Sequence, residues 1–347
     1  MIDLRSDSSA PPTLAMRNAM ARAEAGDDFY GESHATRDLE QRVAELLGKP
    51  SSLLLPTGTM ANATAILAWE TSEIFLDAKA HIRIREMDPR GALGHLTPRF
   101  SESADGCPVV PDVLAWLKDK PARPLVCVEQ TNLWLGGHAI QLPNLMTLRS
   151  VAPRIHLDGA RLFYAAEVLG LSTRQIAEQA DSVMISLVKG LGGPGGAILA
   201  GPAAFIEKAR EVRQILGGTM RQPAFLAAAA SVALDAGFDH LKIDRENAQR
   251  LGGAFRAYLA TDVATNIVLL DPAKLGVSGP EFLQRARDRG VKLSLLGPTI
   301  RAVTHRGVSV AQVTEAIEIL RALLPEQSDN TTGRFGNRRA ADPLIQK

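Results

Sequence analysis

The sequence predicts an α/β protein with a large domain and a smaller second one, on three observations. Ile155-His156-Leu157 and Val183-Met184-Ile185 are short apolar runs that read as strands, and each leads to an ionisable residue followed by glycine: Asp158-Gly159 after the first, Lys189-Gly190 after the second. In an open α/β sheet such strand ends are where ligands sit. From about Gly237 helices and strands alternate on a smaller scale, and 347 residues, 46% of them hydrophobic, suffice for a large core plus a second domain. The chain divides into an N-terminal arm and large domain (1–236), a small C-terminal domain (237–325) and a polar, aperiodic tail (326–347) that reads as disordered.

An Asp after one strand and a single Lys after the next are the two groups that pyridoxal 5′-phosphate (PLP) requires. A lysine holds its aldehyde as a Schiff base, and a carboxylate paired with the pyridinium nitrogen keeps the ring an electron sink. Asp158 and Lys189 are the nominees. A salt-bridged Asp and a surface Lys are the bland alternative for such a pair alone; the glycines after Lys189, which leave room for a bulky cofactor, favour PLP. The segments HLDGARLF, SLVKGLGGPGG and ILGGTMRQ resemble the L-threonine aldolases, of the β-eliminating lyase group of PLP enzymes. The resemblance runs from Asp3 to about Leu324, with its motifs in the family's order. It implies the PLP-dependent transferase fold of type I, in which a mostly parallel central sheet is flanked by helices.

In chain order, Asp3-Leu4-Arg5-Ser6-Asp7 is a polar arm running into Pro11-Pro12-Thr13, where Thr13 caps a helix from about Leu14. The matching family segment, usually RSDTVT, lies along the active site with its serine on the substrate carboxylate, which implies that role for Ser6. Gly26-Asp27-Asp28-Phe29-Tyr30-Gly31-Glu32 precedes a helix whose Leu39, Val43, Leu46 and Leu47 share one face and form core. The loop resembles the family's GDDVYGED, whose tyrosine borders the site, so Tyr30 is implied there. Ser33-His34-Ala35 replaces the usual Asp-Pro-Thr and brings an unexpected His34. Leu53-Leu54-Leu55 leads through Thr57-Gly58-Thr59 into an alanine-rich helix, whose first N–H groups and two hydroxyls make a phosphate cradle, although an N-cap alone explains either threonine. The family places the cofactor phosphate there, on Gly58 and Thr59. His81, five residues before Glu86, matches H-x-x-x-x-E, whose imidazole stacks on the cofactor ring and is linked to proton transfer.

The strand Leu125-Val126-Cys127-Val128 ends in Glu129-Gln130-Thr131-Asn132, where the family usually reads E-N-T-H-N and uses the histidine on the substrate's β-hydroxyl. Asn132 takes that place. It can hydrogen-bond a hydroxyl but cannot accept its proton at neutral pH, which leaves His81, His34 or an ordered water as base. Arg161 and Arg301 match the family's substrate-carboxylate arginines. Arg221 matches an arginine that reaches the cofactor phosphate, commonly across a subunit interface, which implies a homodimer or homotetramer with sites between subunits. The glycines after Lys189 also satisfy G-x-G-x-x-G, but Ala197-Ile198-Leu199-Ala200 continues as a strand, whereas a dinucleotide fingerprint must open a helix. Val188 stands where a hydroxyl residue commonly precedes the lysine. The last helix, capped by Ser309, carries Val313, Ile317 and Leu320 on one face.

The net charge of +1 gives no electrostatic case for nucleic acid or anionic membrane, and no run approaches the length of a bilayer-spanning helix. Two cysteines, Cys107 and Cys127, fit a reducing cytosol and are too few for a disulfide framework or a four-thiolate zinc site. No metal is expected. The implied reaction is cytoplasmic retro-aldol cleavage of L-threonine, or a related L-β-hydroxy-α-amino acid, to glycine and an aldehyde. A PLP-dependent β-eliminating lyase or amino-acid racemase is the alternative on the same scaffold, and a non-catalytic binding protein the reading from another class.

Overall fold

The computed structural model describes residues 1–88 and 90–324; the polar tail lies outside the described residues. Twelve strands follow one another as β1 (Ile2–Asp3), β2 (Ser51–Leu55), β3 (Glu73–Asp77), β4 (Thr97–Ser101), β5 (Leu125–Glu129), β6 (Ile155–Gly159), β7 (Ser182–Ser186), β8 (Ala197–Gly201), β9 (Ile267–Leu270), β10 (Val291–Lys292), β11 (Ser294–Leu296) and β12 (Thr299–Val303). Seven make the central sheet in the order β2-β8-β7-β6-β5-β3-β4. From β7 to β4 every pairing is parallel, and β8 runs antiparallel to both of its neighbours. All five residues of β5, β6, β7 and β8 are buried, which is why these strands read as continuous apolar runs: helices cover both faces of a parallel sheet.

Parallel neighbours need long crossovers. Helix Leu142–Val151 joins β5 to β6, and helices Leu162–Leu169 and Thr173–Ala177 join β6 to β7. Thr13 Oγ1 accepts the Met16 N–H at the start of helix Leu14–Arg22, and Ser309 forms a full capping box with Gln312, as the sequence predicts. Helix His34–Leu47 buries Leu39, Val43 and Leu47. The alanine-rich helix Ala224–Asp235 packs against it and against Leu14–Arg22, where small side chains let helix axes approach closely. The basic helix Ala203–Ile215 is less surface-like than its composition suggests: Arg213 is buried, donating to the Leu54 carbonyl at 2.8 Å and to Asp28 at 2.6 Å.

A second core gathers around Phe255, Phe282, Ile300 and Leu320, between the antiparallel sheet β11-β12-β9 and helices Asp239–Ala254, Gly279–Asp288 and Val310–Arg321. The N-terminal arm, which the division at residue 236 groups with the large domain, reaches into this core. Ile2 and Leu4 are buried in the second core, β1 pairs in parallel with β10, and the Val303 N–H donates to the Leu4 carbonyl at 2.7 Å. The physical reason is that β10 offers unpaired edge groups, and alternation along Ile2-Asp3-Leu4 puts both apolar side chains on its buried side. Among the described residues no single helix is long and apolar enough to cross a membrane.

Because Leu4 is fully buried with its backbone paired, Leu4→Ala should lower the unfolding free energy by about 2–5 kcal/mol, read from urea denaturation. An unchanged midpoint would mean that the arm contributes no core packing.

Candidate active site

A cavity of about 420 Å³ opens beyond the C-terminal ends of β2, β6 and β7, lined among others by Thr57, Gly58, Thr59, His81, Asp158 and Lys189. Five of the site residues named from sequence (Gly58, Thr59, His81, Asp158 and Lys189) therefore meet in one space, brought there by three separate strand ends and one helix start. A larger groove beside Leu46, Phe163 and Phe238, about 700 Å³, holds Glu167, Asp239 and Lys242 on an otherwise mostly apolar wall. Chemistry rather than size picks out the smaller cavity.

Helix Gly58–Ala68 starts at the cavity wall. Thr57 caps it, its Oγ1 accepting the Met60 N–H and its carbonyl the Ala61 N–H, so Gly58 and Thr59 keep the first N–H groups at the positive end of the helix. Ser186 at the end of β7 accepts the N–H groups of both Val188 and Lys189, fixing the lysine's backbone. The glycines that follow divide in role. Gly195 and Gly196 line the cavity, but a Cβ on Gly193 would lie 2.5 Å from the Leu187 carbonyl, so this one serves a close backbone approach rather than cofactor room. Ala197–Gly201 is a strand, so no helix opens after the G-x-G-x-x-G match.

Asp158 is buried, with Oδ1 accepting the Ala160 N–H at 3.1 Å and Oδ2 the Asn62 amide at 2.8 Å. His81 Nδ1 sits 2.9 Å from Glu86, and its backbone N–H donates to Glu129 at 2.7 Å. Burial pulls the His81 imidazole towards its neutral form, yet the hydrogen bond and charge of Glu86 outweigh this and raise its pKa above 6.5. Burial, then the neighbouring Arg161, lower the Lys189 pKa, against the pull of Asp7, Asp158 and Glu129. A lysine so placed is closer to the neutral amine that forms a Schiff base. Glu129 is pushed up to about 7 by burial and by Asp158.

The remaining predicted residues are placed differently. Arg161 is 3% exposed and donates through Nε and Nη2 to both oxygens of Asp7, at 2.8 and 2.9 Å. As a binder of substrate carboxylate it is thus already doubly engaged, leaving Nη1. Arg301 donates to Ser294 and to the Arg5 carbonyl, and burial followed by the charge of Arg161 lower its pKa. Ser6 caps the short turn Asp7–Ser9, and it is Ser8, a departure from the family pattern, that lines the cavity. Asn132 is buried and does not line the cavity. Its Oδ1 accepts the Trp134 and Leu135 N–H groups, capping the turn Leu133–Leu135, and its buried amide nitrogen faces Gly106 without a partner. A short Asx cap captured the side chain that sequence reasoning assigned to the substrate. Tyr30 is 70% exposed, and Arg221 pairs with Asp27 and lies over Phe29; neither lines the cavity of its own chain. His34 is exposed at the start of helix His34–Leu47, beside Arg37. Asp7, Asn62, Glu86, Glu129 and His156 also belong to this network; all but Asn62 stand inside the motifs quoted above, yet none of those motifs assigns them a role at the site.

The donor set fits PLP: a half-buried lysine, a buried carboxylate with two N–H donors behind it, an imidazole and an open helix start share one cavity. The beta-eliminating lyase family model matches residues 3–274. The chain belongs to this family. Low-specificity L-threonine aldolase 1 of Arabidopsis thaliana is 32% identical over 354 residues, covering 95% of this chain and 99% of its own length. The low specificity L-threonine aldolase of Escherichia coli K12 is 33% identical over 344 residues, covering 93% of this chain and 99% of its own. A solved Leishmania major threonine aldolase superposes with a TM-score of 0.74 at 21% identity, over 93% of this chain and 99% of that one, a likeness of fold. The β-eliminating lyases are PLP enzymes, and this chain is a PLP-dependent lyase with the type I fold.

Two outcomes follow from the electrostatics. Asp7→Ala strands a buried guanidinium and should cost about 3–5 kcal/mol of unfolding free energy, read by denaturant titration. Asp244, which accepts the Tyr164 hydroxyl at 2.8 Å, is pushed by burial from 3.8 up to about 7. Between about pH 4 and 7 the folded state holds a proton that the unfolded chain has lost, so this group weakens the fold as pH rises. The stability of Asp244→Asn relative to wild type should therefore be more favourable at pH 8 than at pH 5; equal differences at the two pH values would refute the shift.

Proposed function

We propose that the chain cleaves L-threonine or a related L-β-hydroxy-α-amino acid to glycine and an aldehyde. The observation that carries this is the meeting of Lys189, Asp158 and His81 in one cavity beside the open start of helix Gly58–Ala68. Lys189 would hold PLP as a Schiff base, Asp158 would pair with its ring nitrogen, His81 would pack against its ring, and Gly58 and Thr59 would bind its phosphate. When bound, PLP supplies an electron sink for the carbanion left at Cα as the Cα–Cβ bond breaks. Arg301, with Arg161 Nη1, holds the substrate carboxylate, and Ser8 together with Ser6 closes that side. His81, its Nδ1 occupied by Glu86, accepts the β-hydroxyl proton at Nε2. With Asn132 held in a cap, no side chain from the β5 loop competes for that role.

A homo-oligomer with sites between subunits accounts for Tyr30 and Arg221. Both lie against exposed Phe29, exposed Ile215 and Phe225 flank Arg221 in the chain, and the Asp28 N–H donates to the Arg221 carbonyl, tying the two loops together. A second copy against this face would bring Arg221 to the other subunit's phosphate site. The chemistry of two buried free thiols, Cys107 and Cys127, suits the cytoplasm.

The cap on Asn132 favours, as a second reading, elimination or racemisation, neither of which needs a base at the β-hydroxyl. The test is a panel of aliphatic, aromatic and acidic L-β-hydroxy amino acids given to the PLP-loaded protein and to Lys189→Ala. Glycine and aldehyde should come from wild type, with at least a thousand-fold loss in the variant, on the order of what removing a covalent catalyst costs. Pyruvate or the opposite enantiomer without glycine would replace the aldolase with the second reading. For the assembly, Ile215→Asp should shift the sedimentation profile towards monomer and weaken PLP retention; an unchanged profile would remove that face from the interface.

A further inference from the structure

Behind the Asp158 carboxylate a file of hydrogen bonds leads away from the cavity. The Asn62 amide nitrogen lies 2.8 Å from Asp158 and 3.3 Å from Glu86, and Asn62 Oδ1 is 3.1 Å from His156 Nε2. His156 Nδ1 is 2.9 Å from Ser182 Oγ, to which Trp69 Nε1 donates at 2.8 Å. Asn62, His156 and Ser182 are all buried, and Trp69 stacks on Phe205 under the Arg154 guanidinium, outside the cavity lining.

The direction of the bonds is set from the carboxylate end. The Asp158 and Glu86 carboxylate oxygens accept from Asn62, which therefore turns its NH₂ to them and its oxygen to His156. His156 must then carry its proton on Nε2. Burial lowers its pKa to about 4, so at neutral pH Nδ1 is bare and accepts the Ser182 hydroxyl proton. Ser182 in turn accepts from the indole, which only donates. Reversing the Asn62 amide would set its oxygen against both carboxylates, and its NH₂ would meet the His156 Nε2–H unless that proton moved to Nδ1 and the Ser182 hydroxyl turned away.

We infer that Trp69, Ser182 and His156 are positioning residues that lock the Asn62 amide in one orientation, so that it donates at once to the carboxylate serving the cofactor's ring nitrogen and to the carboxylate holding His81. Rotation of Asn62 would loosen both partners together. The relay thus couples the ring-nitrogen contact to the imidazole across the ring through one side chain. This rests on the PLP reading of the cavity given above.

The test uses nitrogen-15 NMR of the full chain, with labelled histidine and PLP labelled at the ring nitrogen. In wild type, His156 should be neutral with its proton on Nε2, loaded or unloaded, and the ring-nitrogen signal should lie in the pyridinium range. Trp69→Phe keeps the stack on Phe205 and removes the terminal donor. It should mix the His156 tautomers, move the ring-nitrogen signal towards the unprotonated range and weaken PLP binding about 3- to 10-fold, while Asn62→Ala should weaken it about 10- to 100-fold. A wild-type His156 with its proton on Nδ1 would overturn the relay, and so would Trp69→Phe with both nitrogen signals unmoved. Should Trp69→Phe not fold, the wild-type tautomer still decides. Failure of wild type to take up PLP would count against the cofactor reading, and the tautomer of the unloaded protein would test the relay separately.

Discussion

The arrangement depends most on the buried pair between Asp7 and Arg161. One partner comes from the N-terminal arm and the other from the turn after β6, and neither is more than 3% exposed. Taken singly, either charge would be expelled from so dry a place; together they are stable because the guanidinium fork meets both carboxylate oxygens. Asp7 also lies 3.4 Å from the Asn266 amide, which bonds the Thr304 carbonyl in the small unit. The pair is therefore where arm, central sheet and small unit converge. It also supplies the anion that keeps Arg161 from standing uncompensated beside Lys189.

The parts of the site that were legible in the sequence are those fixed by topology. Lys189, Asp158, His81, Gly58 and Thr59 each sit at a strand end or helix start, and an open sheet gathers such ends on one edge whatever the side chains between them do. The parts that were not legible depend on which polar neighbour wins. Asn132 has a backbone turn two and three residues ahead, and that local contact took its oxygen. Arg161 has Asp7, distant in sequence but adjacent in space. Nothing in the composition of the arm announces that Ile2 and Leu4 belong to the small unit's core, because a two-residue strand is defined by its partner, here Val291 and Lys292.

The missing hydroxyl at Val188 shows the same contest resolved differently. Ser186, two residues earlier, bonds the backbone on which Lys189 is mounted, so the lysine is held through the main chain. Polar groups around this cavity mostly face other polar groups of the chain: Glu86 faces His81 and Asn62, and Glu129 faces the N–H groups of His81 and Leu133. Such a network is rigid when complete and costly when broken.

The reversed strand β8 has a consequence for the life of the chain before it is finished. Among the described residues β2 lies at one border of the central sheet and pairs only with β8, which also completes β7. During synthesis the Thr57 to Thr59 turn and Lys189 can both have left the ribosome while the strand that brings them together is still inside it. Until β8 slides between them, two apolar edges stand open to any other strand, a setting in which nascent chains associate wrongly. Closing that gap spans well over a hundred residues of sequence, the kind of long-range pairing that slows folding. Pairing of β8 thus brings the Thr57 to Thr59 turn beside Lys189 and covers the facing edges of β2 and β7 in one event, before the strand that carries Arg301 is made.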